Sequence, residues 1–296
     1  MIIKSDCIAE MQKMEAGSVD LVFGSPPYED CRTYGIDFKV KGQAWVDWMV
    51  AIYIESLRVC KGLVAYVVQG RTRKFRWSCT PALLIADLHR AGITVREGPY
   101  FHKVGIPGSG GPDWLRHDLE FIVCATNGGK LPWSDSCVMG HPPKYAPGGA
   151  MSHRCGDGSR VSKWGKWTAA GRRSKDGTVE SMCDSLMVKP GYGPPVRANP
   201  GNVIHLPVGG GQMGSDLAHE NEAPFPESLA EFFVRSFCPP GGITLDPFCG
   251  SGTTGAAAIK TGREFIGIDV RASQVALSYR RLSEARRQIN VPIEDL

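Results

Sequence analysis

Three features that mark special classes of protein are absent from this chain of 296 residues. No apolar run approaches the roughly 20 residues that a membrane-spanning helix requires, so we expect no contact with a membrane. None of the ten cysteines forms a Cys-x-x-Cys pair, which argues against a zinc ribbon and favours reduced, buried thiols. The first residues, Met1 to Asp6, lack the charged start and apolar core of a signal peptide. We therefore expect a cytoplasmic protein.

Metal-ligand spacing and a strong overall charge are also lacking. The formal net charge is only +4, yet residues 140–200 contain ten Lys or Arg against four Asp or Glu. Such a local excess of positive charge predicts that this segment contacts a polyanion. We expect no metal site, because five of the histidines show no ligand spacing: His89, His117, His141, His153 and His205.

Apolar runs that end in loops alternate with segments of helical periodicity. Helices are predicted over about residues 43–60 and 226–237, and a last helix near the C-terminus carries Arg280, Arg281, Arg286 and Arg287 on its polar side. The alternation predicts an α/β fold with a mainly parallel sheet and helices on both faces. Five runs predict its strands: Val19–Gly24, Leu63–Val68, Glu120–Ala125, Ile243–Asp246 and Glu264–Asp269.

Residues 131–215 interrupt this pattern with glycine, proline, serine and basic residues that show little periodicity. A structureless stretch of that length is uncommon inside a compact domain, so we interpret its main part, residues 131–200, as an inserted recognition module. A disordered linker is the alternative. Aromatic residues argue against disorder, because disordered segments contain few of them: Trp133, Tyr145, Trp164, Trp167 and Tyr192.

The first motif, Ser25-Pro26-Pro27-Tyr28, directly follows the predicted strand Val19–Gly24. Two prolines end the strand and stiffen the turn, which holds the Pro26 carbonyl as a fixed acceptor. The Ser25 hydroxyl is a second acceptor, and Tyr28 offers an aromatic plane. This set suits a planar group that carries an NH2, since two acceptors take its two N–H bonds and the ring stacks on its face. A plain Pro-Pro turn with a packed tyrosine is an equal alternative.

The second motif, Asp246-Pro-Phe-Cys-Gly-Ser-Gly-Thr-Thr-Gly255, follows a predicted strand and opens a helix. Its Gly250–Gly255 segment matches G-x-G-x-x-G, a weak indication of dinucleotide binding. Asp246 argues against a pyrophosphate, which it would repel, and favours a ligand with an ammonium and a sulfonium group. Asp269, at the end of the next strand, suits a carboxylate that accepts from ribose hydroxyls, or an N-cap of the following helix.

Together the two motifs resemble those of the DNA amino-methyltransferases with the permuted, or β, motif order. In that order the catalytic motif comes first, then the target-recognition region, then the cofactor loop. Three shorter segments resemble further motifs of the family: Ser5-Asp6-Cys7, Phe101-His102-Lys103 and Ala223-Pro224-Phe225-Pro226-Glu227. The resemblance implies a Rossmann-like S-adenosylmethionine-dependent fold, with a catalytic domain in two parts, 1–130 and 201–296, around an inserted target-recognition region at 131–200.

The resemblance also assigns roles to single residues. Catalysis falls to Ser25, Pro26, Pro27 and Tyr28, acting on the exocyclic amine of a base that has left the DNA stack. The residues expected to bind S-adenosylmethionine are Asp6, Cys7, Phe225, Asp246, Pro247, Phe248, Cys249, Gly250, Ser251, Gly252, Thr253 and Asp269. The basic residues expected to contact DNA are Arg71, Arg73, Lys74, Arg76, Lys103, Lys163, Lys166, Arg172 and Arg173.

Serine at the first motif position is typical of enzymes that methylate cytosine N4, whereas aspartate accompanies adenine N6. We therefore predict a cytosine-N4 methyltransferase, with adenine N6 as the alternative. A C5-cytosine enzyme fits less well, because no Pro-Cys dipeptide supplies its nucleophile. Two other classes are an inactive DNA-binding protein on this fold and a nicotinamide oxidoreductase, which leaves Ser25–Tyr28 unexplained. A homodimer and a cognate restriction endonuclease are further candidate partners beside DNA.

Overall fold

The computed structural model describes residues 1–29, 38–105, 112–142 and 197–289, with the backbone of two short strands at 172–173 and 179–180. The chain separates into two compact units, Met1–Met139 with Pro200–Leu296, and Gly140–Asn199. Within the described residues, no helix combines the length and apolar character needed to span a membrane.

The elements are numbered along the chain. The strands are β1 (Ile2–Lys4), β2 (Val19–Gly24), β3 (Cys60–Val68), β4 (Thr72–Arg73), β5 (Arg76–Trp77), β6 (Thr94–Arg96), β7 (Tyr100–Val104), β8 (Leu119–Thr126), β9 (Arg172–Arg173), β10 (Val179–Glu180), β11 (Val203–Pro207), β12 (Ile243–Asp246) and β13 (Glu264–Asp269). The α-helices are α1 (Cys7–Met11), α2 (Gln43–Val59), α3 (Thr80–Arg90), α4 (Glu227–Phe237), α5 (Thr253–Lys260) and α6 (Ala272–Ile289). Two 3₁₀ helices lie at Gly210–Met213 and Asp216–Glu220.

The first unit is built on one sheet with the strand order β1-β13-β12-β2-β3-β8-β7-β11, in which β6 also pairs with β8. The five neighbouring strands β1, β13, β12, β2 and β3 are parallel to one another, and β7 is parallel to β11. Strand β8 runs antiparallel to its neighbours β3, β6 and β7. The mainly parallel α/β fold predicted from the sequence is therefore confirmed.

Alternate residues of the central strands point to two separate cores, one on each face of the sheet. On one face, Val64 and Tyr66 of β3 pack with α1, α2 and α3. On the other, Phe23 of β2 and Ala65 of β3 pack with α4, α5 and α6, and the Phe23 ring stacks on Phe233 at a centroid distance of 4.4 Å. Burial on both faces explains why β2 and β3 are apolar runs rather than alternating patterns.

The last helix differs from the prediction in one respect. Arg281, expected on its polar side, is 1% exposed and faces the interior, while Arg280 is exposed. Residues 131–139, assigned from the sequence to the insertion, lie in the first unit, where the Asp135 amide donates to the Ser236 carbonyl of α4 at 2.9 Å.

In the second unit, β9 and β10 pair antiparallel, with Val179 opposite Arg173. The Ala198 amide donates to the His141 carbonyl at 2.8 Å. Two of the predicted DNA contacts, Lys163 and Lys166, lie outside the described residues, and for Arg172 and Arg173 only the backbone pairing is described. The recognition role of this segment stays a prediction.

Candidate active site

Both sequence motifs lie at one edge of the sheet, where β1, β2, β12 and β13 end. These strands are parallel, so their carboxyl ends meet there, the usual position of ligand sites in open α/β sheets. A cavity of about 560 Å³ opens at this edge, a size within the range of ligand pockets. Its walls come from the first motif, from the loop after β12, from the end of β13 and from the segment after β1.

The first motif is held in place from three sides. Ser25 Oγ lies 3.3 Å from the Val67 carbonyl of the neighbouring strand, and Trp45 Nε1 donates to the Pro27 carbonyl at 2.9 Å. Glu29, which follows the motif, is buried and accepts from the Gly42 amide at 2.7 Å and from Thr80 Oγ1 at 3.1 Å. The turn is therefore a fixed part of the cavity wall.

Tyr28 begins a chain of polar contacts at the same end of the cavity. Its hydroxyl donates to Glu120 Oε2 at 3.2 Å, and Lys103 Nζ binds Glu120 Oε1 at 2.7 Å. Ser25 Oγ lies 3.4 Å from the Tyr28 hydroxyl, so serine, tyrosine, glutamate and lysine form one network. Lys103, predicted as a DNA contact, is thus placed in a half-buried ion pair beneath the motif rather than on an open basic surface.

Asp246 occupies a different position from the one predicted. It is 1% exposed and is not among the residues lining the cavity in the described structure. Its carboxylate accepts from the Phe248 amide at 2.9 Å and from Thr254 Oγ1 at 2.8 Å. Burial raises the pKa of Asp246 to about 7, and these two donors oppose that rise only in part. Asp246 therefore supports the loop after β12 by hydrogen bonds and does not face the cavity. Ser251 and Gly252 are also buried and do not line the cavity.

Asp269, by contrast, borders the cavity. Its Oδ2 accepts from the Gly250 amide at 3.1 Å and its Oδ1 from the Arg271 amide at 2.8 Å, one residue before α6 begins. Gly250 and Gly252 have φ values of 49° and 81°, a conformation that favours glycine, so the loop can pass close to a ligand. Asp269 therefore holds residues 247–252, the loop between β12 and α5 that we call the glycine loop, and it also lines the cavity.

The acceptors and apolar surfaces on this part of the cavity wall suit S-adenosylmethionine. The Asp6 and Asp269 carboxylates border the cavity and can meet hydroxyl and ammonium groups. Phe225 and Phe248 supply apolar walls, and Phe248 is supported by Trp48 at a ring centroid distance of 5.7 Å. A cavity with an apolar body and a few placed polar groups is typical of cofactor sites. The remaining predicted cofactor residues on its wall are Cys7, Pro247, Cys249, Gly250 and Thr253.

Arg281 is the supporting residue that the sequence analysis missed. From α6 it donates to Thr253 Oγ1 at 2.7 Å and to Ser251 Oγ at 3.2 Å, and it pairs with Glu227 at 3.1 Å. It also donates to the Met213 carbonyl at 2.7 Å. One buried guanidinium thus joins the glycine loop to α4 and the first 3₁₀ helix.

The predicted basic run after β3 forms a short hairpin. Its strands β4 and β5 pair with Arg73 opposite Arg76, and Arg73, Lys74 and Arg76 are exposed while Arg71 is half-buried. Gln69, just before the hairpin, lines the cavity. The basic run therefore lies near the site, at the carboxyl end of β3.

The sequence as a whole has relatives of known class. Residues 19–280 match the family model described as DNA methylase, N6_N4_Mtase. The chain is 27% identical over 294 residues to DNA adenine methyltransferase YhdJ of Escherichia coli strain K12, covering 96% of this chain and 83% of YhdJ. It is also 27% identical over 273 residues to the orphan methyltransferase M.BamHII of Bacillus amyloliquefaciens, covering 90% of this chain and 89% of that protein.

Solved structures show the same fold. PvuII DNA methyltransferase, described as cytosine-N4-specific, matches with a TM-score of 0.62 and 16% identity, covering 97% of this chain and 91% of that one. TTHA0409 of Thermus thermophilus, complexed with S-adenosyl-L-methionine, matches with a TM-score of 0.57 and 19% identity, covering 96% and 95%. The predicted Rossmann-like methyltransferase fold is confirmed, and so is S-adenosylmethionine as its cofactor. Because the family match spans most of the chain and includes both motifs, this protein belongs to the DNA methylase family of N6/N4 amino-methyltransferases.

Proposed function

We propose that this DNA methyltransferase transfers a methyl group to the N4 amine of a cytosine that has left the DNA stack. The observation that carries the proposal is the position of Ser25. Its hydroxyl lies 3.3 Å from the Val67 carbonyl, an atom that can only accept. The Ser25 proton can go to this carbonyl or to the Tyr28 hydroxyl at 3.4 Å, and either direction leaves lone pairs of Ser25 Oγ for hydrogens of a substrate.

The Pro26 carbonyl is the second acceptor for the amine. No hydrogen bond among the described residues ends on this oxygen, whereas the Pro27 carbonyl is taken by Trp45. An exocyclic amine is a poor nucleophile, because its lone pair is delocalised into the ring. Two acceptors on its N–H bonds draw electron density back onto the nitrogen.

Tyr28 and its partners hold the base in place. The hydroxyl of Tyr28 is anchored on Glu120, which fixes the edge of a ring that lines the cavity and can stack on the base. S-adenosylmethionine, when bound, would supply the methyl group from its sulfonium. Transfer to the amine would leave S-adenosylhomocysteine and release one amine proton to solvent. The residues of the chain chiefly position the amine for this displacement.

The choice of cytosine rests on the identity of the first motif residue. Serine at this position is typical of the cytosine-N4 enzymes that the motif resembles. The weaker acceptor strength of a neutral serine, compared with a carboxylate, favours neither base. PvuII methyltransferase, described as cytosine-N4-specific, shares the fold. Adenine N6 is a second candidate, because YhdJ, similar over 96% of the chain, is described as an adenine methyltransferase.

Expression in a bacterial host without endogenous DNA methylation, followed by single-molecule sequencing of its DNA, tests the proposal and gives the recognition sequence. Modified cytosines at one motif support it, and modified adenines alone favour the second candidate. Ser25→Ala should lose most methylation while S-adenosylmethionine binding, measured by calorimetry, is retained. Tyr28→Phe, which keeps the ring, should retain more activity than Tyr28→Ala. Parental rates in all three variants would place the active site elsewhere.

We propose further that residues 131–200 select the DNA sequence, since they combine positive charge with aromatic residues. Grafting these residues onto a relative should give the chimera the recognition sequence of the present protein. A chimera that keeps the recognition sequence of the relative would refute this role. We also propose a cognate restriction endonuclease as a partner, because M.ScaI, 35% identical over 96 residues, is named a type II methyltransferase. M.BamHII, which is named an orphan, favours a methyltransferase that acts alone.

A further inference from the structure

A large apolar side chain stands at the tip of the basic hairpin. Phe75 is 79% exposed, and it lies in the two-residue turn between β4 and β5. Arg73, Lys74 and Arg76 surround it and are exposed as well. Because Phe75 is not buried, it contributes no hydrophobic stabilisation to the free protein. Its basic neighbours give the tip a positive charge that suits a polyanion.

The backbone at the tip favours a different residue. Lys74 and Phe75 have φ values of 50° and 63°. Both central residues of a two-residue hairpin of this type need positive φ, which is why Asn-Gly is the preferred pair. A bulky residue in that region is a conformational outlier, and outliers of this kind concentrate at functional positions.

The base of the hairpin is firmly anchored while its tip projects. The Trp77 ring stacks on Phe121 at a centroid distance of 6.1 Å, and the Ser78 amide donates to the Arg71 carbonyl at 2.9 Å. Gly70 permits this packing, because a Cβ there would overlap the Trp77 indole. The turn therefore presents Phe75 from a fixed support rather than from a loose loop.

The hairpin also begins beside the proposed base pocket. Gln69 lines the cavity, and Phe75 follows it six positions further along the chain. A chain of that length reaches at most about 20 Å. Since Ser25 contacts Val67 on the same strand, the hairpin and the proposed base site lie at the same end of the sheet.

We propose that Phe75 enters the base stack of duplex DNA at the gap left by the target base, while the basic side chains beside it contact the flanking phosphates. Apolar wedges of this kind insert between base steps in other DNA-binding proteins, and an aromatic ring replaces stacking that extrusion removes. The inference rests on the proposed function, because it requires a base that leaves the stack.

The test compares two DNA substrates that contain the recognition sequence found by sequencing. In one duplex the target base is paired, and in the other it lies opposite an abasic site, so that extrusion is already eased. Phe75→Ala should slow methylation of the paired duplex roughly ten- to hundred-fold, the range expected for one lost stacking contact. On the abasic duplex the loss should be much smaller. Ile54→Ala, which removes an exposed apolar side chain from α2, is the matched control and should change neither rate.

A second variant separates loss of the wedge from loss of the fold. Phe75→Gly suits the left-handed backbone, so its melting temperature should equal or exceed that of the parent, yet it should show the same selective defect. Equal losses on both duplexes, or no loss on the paired duplex, would overturn the inference and point to another occupant, such as a second copy of the chain. These outcomes are distinct from failure of the proposed function, in which the parental enzyme itself methylates no cytosine.

Discussion

Gly24, the last residue of β2, packs directly against the carboxylate of Asp246, the last residue of β12. A Cβ added at position 24 would lie 2.9 Å from Asp246 Cγ and would overlap its Oδ1. This close approach brings the ends of the two strands together, and with them the Ser25–Tyr28 motif and the glycine loop. The absence of a side chain at position 24 is therefore what lets the amine site and the cofactor loop share one cavity.

Gly24→Ala should disturb both halves of the site. The methyl group must displace a buried carboxylate that already accepts two hydrogen bonds, and overpacking of this kind costs about 1–3 kcal/mol. Chemical denaturation should show that loss, and methylation should fall with it. Gly211→Ala is the control, because a Cβ there meets no atom within 4 Å. A Gly24→Ala variant with parental stability and activity would show that the contact is dispensable.

The raised pKa of Asp246 gives stability a specific pH dependence. Burial, with a smaller contribution from the Asp269 charge, raises the pKa from 3.8 to about 7. The folded state therefore binds this proton more tightly than the unfolded state. The stabilising contribution is complete below about pH 4 and is lost as the pH rises to about 7, with a slope of at most about 1.4 kcal/mol per pH unit.

Asp246→Asn should accordingly flatten the pH dependence of the free energy of unfolding between pH 4 and 7, as followed by denaturation at a series of pH values. Asp87 is an opposite case: hydrogen bonds from Gln43 and Arg90 lower its pKa, so its stabilising contribution is present throughout this pH range and is lost only in more acidic solution. A difference between parent and Asp246→Asn that does not vary with pH would contradict the assignment.

Apolar runs and chain order sufficed to predict the centre of the fold. The runs at β2, β3, β12 and β13 are buried on both faces, so their pattern is strong. The sequence pattern did not predict the outer strands, and the reason is physical. β7 reads Tyr-Phe-His-Lys-Val and β11 reads Val-Ile-His-Leu-Pro, and both mix polar with apolar residues because they are partly exposed.

The sequence predicted the parts of the candidate site that consist of adjacent residues. It did not predict the parts that depend on contacts between residues far apart in the chain. Residues 25–28 and 247–250, which belong to the two motifs, line the cavity together. Periodicity cannot distinguish Arg281 from its exposed neighbour Arg280, because the acceptors that surround Arg281 come from other segments of the chain. The interior position of Asp246 depends likewise on Gly24, far away in the sequence.

These neighbouring arginines offer a matched comparison. Arg281→Met removes a buried cation and leaves Glu227 and the loop hydroxyls short of a donor, a change that typically costs about 3–5 kcal/mol. We expect a large drop in melting temperature and weaker S-adenosylmethionine binding. Arg280→Met breaks an exposed pair with Glu220 and should cost less than about 1 kcal/mol. Similar effects of the two changes would refute the role of Arg281.

Glu120 should affect catalysis without affecting the cofactor. Glu120→Gln removes the charge that binds Lys103 and accepts from Tyr28, and hydrogen bonds to charged groups contribute about 1.5–3 kcal/mol. We expect kcat to fall by about one to two powers of ten, with the Kd for S-adenosylmethionine unchanged. The control is Glu97→Gln at an exposed position. A parental kcat, or an equal loss of cofactor affinity, would speak against this network.

The most direct test of the central claim is mass spectrometry of nucleosides from DNA methylated by this protein. Cells that express the parental protein should contain N4-methylcytosine and no additional N6-methyladenine, and cells that express Ser25→Ala should contain much less N4-methylcytosine. That result would join the chemistry to the Ser25–Tyr28 motif. N6-methyladenine as the sole product, or N4-methylcytosine at the parental level without the Ser25 hydroxyl, would contradict the account.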